Sequence, residues 1–190
     1  MTHRSDFWSD DALLVRMQRA WDGGLSEGTP CGNGSLMAKT ANIREWLPQM
    51  VAKYNIQSLA DAGAGDMHWQ RHLLWGVEYR PYDLVPRNLR VVKHDITKKA
   101  LPKCDALLCR HVLIHLDAPR IDRALAFFRT SAKDLFVSQY EDAAWRPFNR
   151  YNQWNPTDLR PLLGQPRERC PDADEGGQYL AMFDLHPENV

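Results

Sequence analysis

Apolar positions recur with a helical period in two stretches near the start of the chain. Leu13, Leu14, Met17 and Trp21 fall on one face of residues 8–22. Ser9 can cap that helix, Asp10 and Asp11 suit its first turn, and Gly23 and Gly24 end it. Ile43, Trp46, Leu47, Met50 and Val51 form a second stripe over 37–54. Pro48 either kinks that helix or begins another, and Asn55 terminates it. Beyond residue 55 the apolar runs become short. Ile56 to Asp61, Tyr79 to Leu84, Arg90 to Ile96, Ala106 to Arg110 and Leu135 to Tyr140 read as strands. Pro81 is awkward in the second because it cannot donate to a ladder. The fourth is apolar on both faces, as a buried parallel strand is. Ile121, Leu125 and Phe128 mark a helix over 119–131. This alternation predicts an α/β sheet with a mostly parallel centre. Residues 141–177 show little periodicity. Gln178 to Leu185 reads as a final strand, after a Gly176-Gly177 hairpin turn, with 167–170 as its antiparallel partner.

Composition narrows the class. A chain of 190 residues with equal numbers of basic and acidic side chains, 24 of each, reads as one domain, and that balance does not argue for a general nucleic-acid or membrane surface, although it leaves room for a local basic patch. There is no apolar run of membrane-spanning length, and the start lacks the apolar core of a signal peptide. Cys31, Cys104, Cys109 and Cys170 show no CxxC spacing, which reads as reduced thiols in a cytoplasmic protein with no metal site. Seven tryptophans is a high count, and several sit in polar, proline-rich context suited to the aromatic wall of a binding site.

The chemistry gathers around one turn. The first strand ends in Asp61, and Gly63 and Gly65 follow at alternate positions, then Asp66. Glycines permit unusual dihedrals and close approach of a ligand, and a helix beginning there would aim free N–H groups at it. A plain strand-to-helix turn has the same glycines. Asp61, Asp83 and Asp95, however, each fall at a strand end, where open α/β sheets bind ligands. An acid after the second strand suits ribose hydroxyls. A dinucleotide site would have a third glycine at 68 and no carboxylate at the helix start. This chain has His68 and Asp66, which disfavour a pyrophosphate. The pocket asks for a ribose and a base without phosphates, and S-adenosylmethionine fits that description.

On these residues the chain resembles the class I S-adenosylmethionine-dependent methyltransferases. Asp61 to Asp66 is similar to that family's first motif, Asp83 to its ribose-binding acid and Asp95-Ile96 to its adenine-flanking pair. Asp105 to Leu116 is similar to the strand and segment beside the reacting methyl group. The finer resemblance is to a bacterial and phage subgroup of unassigned substrate. It rests on Gly34-Ser35, Thr40, Ile43-Arg44, Leu47-Pro48, Asp61 to Trp69, Asp83 to Pro86, Leu101-Pro102, Cys109-Arg110, His115-Leu116, Trp154 and Asp158-Leu159. His111 stands where the subgroup has an aspartate. Between Asp83 and Arg90 the usual crossover helix, which needs about a dozen residues, has no room. One turn at Val85 to Asn88 must serve.

The resemblance implies a Rossmann-like sheet, mostly parallel with an antiparallel C-terminal strand, helices on both faces and one inter-strand helix shortened. It implies a single domain over 1–190: a helical cap and loop at 1–55, a cofactor-binding core at 56–140, and a substrate-side loop with terminal strands at 141–190. Gly63, Ala64 and Gly65 would cradle the methionine portion and Asp61 would hold its ammonium. Asp83 and Leu84 would flank the ribose, and Asp95 and Ile96 the adenine. Asp95 also suits a cap for the following turn, and Trp69 either walls the methionine end or is core. Just past the fourth strand, His111 is the candidate base. Arg110 is a candidate for both cofactor contact and substrate anchoring, because its fork suits carboxylate or phosphate. His115 reads as structural.

Gly34 and Ser35 sit in a glycine-rich loop that is either a plain linker or a backbone nest at a ligand. With Tyr140, Asn152 and Trp154 they are the candidate acceptor pocket. Trp145 to Leu162 interleaves aromatic, amide and arginine side chains that can stack on a planar heterocycle, or simply cover the sheet edge. The expected activity is methyl transfer to a small molecule or a modified nucleobase or nucleotide. Neutral charge does not point to long duplex DNA, although an extruded base stays within that class. The competing readings are a non-catalytic binding subunit and, less well supported by Asp66 and His68, a dinucleotide-dependent oxidoreductase.

Overall fold

The computed structural model describes residues 29–73, 76–141, 156–172 and 177–186; the helix expected over 8–22 lies outside them. The strands are β1 (Ser58–Ala62), β2 (Glu78–Asp83), β3 (Val92–Lys93), β4 (Ala106–Cys109), β5 (Asp134–Tyr140), β6 (Glu168–Pro171) and β7 (Gln178–Asp184). They form one sheet in the order β3-β2-β1-β4-β5-β7-β6. Neighbours from β3 through β5 run parallel. β7 runs antiparallel to both β5 and β6. Every residue of β4 and β5 is buried, which is why β4 is apolar throughout and β5 carries the run Leu135–Val137.

Side chains alternate between two cores. Leu59, Ala106, Leu108 and Phe136 face the helix α1 (Ala41–Lys53), whose Ile43, Leu47, Met50 and Val51 are buried against them. Ala60, Leu107, Leu135 and Val137 face α2 (Ala118–Ser131), through Ile121, Ala124, Leu125 and Phe128. Helices therefore cover both faces, and a short third helix, α3 (Arg160–Leu163), joins the α2 side through Leu163. Pro48 lies inside α1 without ending it. It removes the bond that residue 48 would donate to the Arg44 carbonyl, and the buried face holds the helix together regardless. Asn55 ends the region at a left-handed φ of 51°. Asp117 caps α2 by accepting from the Arg120 N–H at 3.0 Å.

Two expectations need correction. The helix expected after Gly65 is replaced by a single 3-10 turn, Gln70–His72. Met67 takes a left-handed φ of 60°, and the His68 N–H is caught by the Asp66 carboxylate at 3.1 Å, so local side-chain bonding replaces the helical ladder. The third strand, expected over 90–96, contracts to Val92–Lys93, because Asp95 folds the chain into a turn by accepting from the Thr97 N–H and hydroxyl. Pro81 is a full member of β2. β3 pairs only with Tyr82 and Asp83, so Pro81 sits where one edge of β2 carries no ladder. The β2–β3 crossover has no helix, as its length requires, and turns at Asn88, whose carbonyl accepts from the Val91 N–H. Among the described residues no helix is long and apolar enough to cross a membrane.

Candidate functional site

The strand order reverses between β1 and β4, and a cavity of about 350 Å³ opens at the carboxyl ends of the strands there. One wall is the turn after β1. Gly63 and Gly65 line it, with φ of 125° and 58°. A Cβ on Gly63 would overlap Val112 and one on Gly65 would overlap Cys31, so both glycines are demanded by space as well as by backbone. Asp83, Val85 and Arg87 continue the wall beyond β2. The segment after β4 supplies His111, Val112, Ile114 and His115. Facing these is the loop Cys31–Ser35, with a 3-10 turn over Asn33–Ser35, and the start of β7 adds Gln178.

The N–H groups of the glycine turn are committed. Gly65 donates to Asp83 Oδ2 at 2.9 Å and Asp66 to Cys31 Sγ at 3.3 Å. Val85 N–H binds the other Asp83 oxygen at 2.8 Å. Burial raises the Asp83 pKa, opposed by these N–H donors and by the Arg87 charge. Burial, with Asp66 nearby, pushes the Cys31 thiol up to about 12, so it is not a thiolate nucleophile.

No protein-family model matches the chain, and no curated protein matches it. Solved structures do. The 1,6-didemethyltoxoflavin-N1-methyltransferase of Burkholderia thailandensis, solved with 1,6-didemethyltoxoflavin and S-adenosylhomocysteine, superposes with a TM-score of 0.65. It shares 14% identity, over 97% of this chain and 91% of that one. The chain has the class I methyltransferase fold. Magnesium protoporphyrin IX methyltransferase of Synechocystis PCC 6803, solved with bound S-adenosylmethionine, gives a TM-score of 0.55 and 14% identity over 94% of this chain and 92% of that one. Against the S-adenosylmethionine-dependent methyltransferase SibL the TM-score is 0.54 at 11% identity; the match covers 76% of this chain and spans 55% of SibL. What is shared at these identities is the methyltransferase fold.

Within that fold the structure brings together six of the residues singled out from sequence: Gly34, Ser35, Gly63, Gly65, Asp83 and His111 all line the cavity. The glycine-rich loop is thus a cavity wall and not a plain linker. Others are elsewhere. Asp61 is 1% exposed and lies behind the turn, where one carboxylate oxygen accepts from Tyr79 Oη and Gln70 Nε2. Burial pushes its pKa up to about 7. Ala64, Trp69, Ile96 and Tyr140 are buried side chains off the cavity wall, Trp69 in the α1 core. Leu84 and Asp95 also lie off it; Asp95 binds Thr97 and pairs with Lys98 at 3.8 Å. Asn152 and Trp154 lie outside the described residues.

Arg110 requires correction as a substrate anchor. Its fork is filled by Asp172, Nε to Oδ2 at 2.9 Å and Nη2 to Oδ1 at 2.7 Å. Its Nη1 donates to the Gly34 carbonyl at 2.7 Å, and the guanidinium lies 5.8 Å from the Trp69 ring centre. The group fastens the loop, β4 and β6 together. Asp172 and Gln178 were not visible as site residues in the sequence. Asp172 Oδ2 stands 3.5 Å from His111 Nε2, and the Gln178 amide meets the same nitrogen. Burial alone would raise the Asp172 pKa; the His111 hydrogen bond and the Arg110 charge outweigh it and hold the carboxyl well below the usual range. The one signal available was a polar Gln178 opening an otherwise apolar strand. Among the described residues no group of three or more His, Cys, Asp and Glu side chains is placed to hold a metal.

Proposed function

We propose that the protein transfers a methyl group from S-adenosylmethionine to a small molecule, nucleobase or nucleotide acceptor. The observation that carries this reading is the committed glycine turn. Its N–H groups already go to Asp83 and Cys31, so it offers no cradle to a pyrophosphate, while Gly63 and Gly65 keep the wall bare for close approach. The Asp83 carboxylate beside them is suited to ribose hydroxyls. A cavity of about 350 Å³ is within the range of small-ligand clefts. S-adenosylmethionine supplies an electrophilic methyl group on a sulfonium sulfur, so the protein's task is placement and dryness. Val112 and Ile114 give the cavity apolar surface that excludes water. His111 lines the same wall, which supports it as the group that would hold a proton. Four unpaired cysteines support a reducing, cytoplasmic setting, and the motif resemblance supports a place in the bacterial and phage subgroup.

The test is incubation with isotopically labelled S-adenosylmethionine and pools of metabolites, nucleotides and nucleic acid, followed by mass spectrometry. A labelled small heterocycle or nucleotide is expected. Cofactor binding with no labelled product in any pool would favour the non-catalytic subunit.

A further inference from the structure

We infer that the sheet edge at β3, with the turns on either side of it, is a docking surface for single-stranded nucleic acid, and that the methyl acceptor is a base within such a strand. The acceptor half rests on the methyl-transfer reading. The docking half rests on charge, exposure and the place of the cavity.

The chain is neutral as a whole. Residues 85–104 nevertheless hold six basic side chains, Arg87, Arg90, Lys93, Lys98, Lys99 and Lys103, against one acid, Asp95, a formal excess of five positive charges. An ordinary solvated surface mixes the two signs. Lysine on an edge strand also deters edge-to-edge pairing, but that accounts for Lys93 in the two-residue β3 and not for the cations outside it. Arg90, Lys93 and Lys99 stand exposed on three successive segments: the crossover from β2, β3 itself and the turn after it. Among the described residues none of the three has a carboxylate within ion-pair distance; Asp95 pairs with Lys98, at 3.8 Å.

The segments that carry these cations are fixed. Asn88 donates to the Asp66 carbonyl at 3.3 Å and accepts from the Arg90 N–H at 3.0 Å, which ties the crossover to the glycine turn. His94 Nε2 donates to the Lys99 carbonyl at 3.0 Å, and Asp95 accepts from the Thr97 N–H, which shapes the next turn. Val91, Ile96 and Leu101 are buried beneath. Leu89 and Val92 stand out among the charges, 107% and 55% exposed, and offer apolar contact to a sugar or base.

Charge complementarity selects a polyanion, and the cavity selects which one. Arg87 lies on the cavity wall, so the basic segment runs up to the cavity itself. Asn33, Ser35 and Gln178 line the same cavity, and their amide and hydroxyl groups both donate and accept, as the edge of a nucleobase does. A free nucleotide bears its phosphates at one end, whereas a phosphodiester chain meets cations on three segments in succession. A single strand brings bases that are already unpaired, so no duplex has to open. A membrane surface calls for a broad apolar face, and two isolated side chains do not make one. In the transfer, the acceptor atom of the base gives an electron pair to the methyl carbon. The pair of the broken S–C bond stays on sulfur and leaves S-adenosylhomocysteine, and any proton on the acceptor atom goes to solvent.

The experiment is fluorescence anisotropy of the full chain with labelled single-stranded RNA and DNA of mixed sequence, about 15 nucleotides long, over a range of salt. RNA and DNA share the phosphodiester chain, and the two arms separate them. The wild type is compared with the triple variant Arg90→Gln, Lys93→Gln, Lys99→Gln. Wild-type protein is expected to bind at least one strand, more weakly as salt rises. Loss of three phosphate contacts should make the log–log salt slope shallower by about 2 and lower the affinity about 10–100-fold at physiological salt. S-adenosylmethionine affinity, by calorimetry, should not change, since the three side chains lie off the cavity wall. Absent oligonucleotide binding, or equal binding by the variant, overturns the inference. Polyglutamate or phosphatidylglycerol vesicles bound as tightly, through the same side chains, overturn it as well and make the partner an acidic protein or a membrane. With labelled S-adenosylmethionine and pools of single-stranded RNA and DNA, label is expected in the polynucleotide, with KM raised and kcat kept in the variant. Label in free metabolites alone overturns the acceptor half. Oligonucleotide binding in a protein that does not bind S-adenosylmethionine counts against the methyl-transfer reading and leaves the docking surface in place.

Discussion

Arg110 and Asp172 lie 62 residues apart in the chain and meet through two parallel hydrogen bonds, at 2.9 and 2.7 Å, with side chains 5% and 0% exposed. The pair ties the end of β4 to the end of β6 directly beneath the cavity loop. Removing one partner strands a buried charge. Arg110→Met or Asp172→Asn should therefore cost about 3–5 kcal/mol of stability, read as a drop in the urea midpoint. Because the folded pKa of Asp172 is depressed, its contribution is present above the ordinary carboxylate value near 3.8 and is lost as pH falls through the lower folded value. A loss below about 1 kcal/mol in both variants would mean that the pair is not a structural clamp.

Gly34 has an ordinary φ, so its requirement is steric: a Cβ would overlap the His111 ring. Gly34→Ala should leave the fold and cofactor affinity in place and reduce turnover about 10²-fold by moving that ring. Equal effects on affinity and turnover would place the loop in the cofactor site.

Asp83 presents its carboxylate to the cavity while accepting from Gly65 and Val85. Asp83→Ala should weaken S-adenosylmethionine binding about 10–100-fold, the worth of a hydrogen bond to a charged group. Calorimetry on the variant measures it, and unchanged affinity removes Asp83 from the ribose site.

Asp61 is a buried carboxyl with a folded pKa of about 7 against an ordinary 3.8. Between those values the folded protein holds a proton that the unfolded chain has lost, so stability falls as pH rises through that window and levels off above it. Each pKa unit is worth about 1.4 kcal/mol, so the decline attributable to Asp61 is up to about 4 kcal/mol. Asp61→Asn should flatten it. Urea unfolding of both proteins at pH 5 and pH 8 makes the comparison; the same pH difference in both would contradict the burial argument.

Much of the fold was legible because packing leaves a record in residue order. β4 is apolar throughout, β5 and β7 carry apolar runs at Leu135–Val137 and Tyr179–Phe183, and α2 has a clean stripe at Ile121, Leu125 and Phe128, so each ends within a residue or two of its expected limit. The helix expected after Gly65 rests on the strand-then-glycine-turn pattern alone, which does not show that Met67 takes a left-handed backbone. The wall of the cavity made by Gly63, Gly65, Asp83 and His111 followed from strand ends. Its support did not. Asp172 and Gln178 reach His111 across 61 and 67 residues only because β6 and β7 fold back beside β5, and no spacing records that juxtaposition. Arg110 was misassigned for the same reason: an arginine past a strand looks available until the carboxylate that fills it is brought in by another hairpin.

The central claim is that the cavity holds an adenosyl methyl donor and not a dinucleotide. Titration calorimetry of the full chain with S-adenosylmethionine, S-adenosylhomocysteine and a nicotinamide dinucleotide tests it directly. Binding of both adenosyl compounds, weakened by Asp83→Ala, with no binding of the dinucleotide, is the predicted result. Binding of the dinucleotide alone would contradict it.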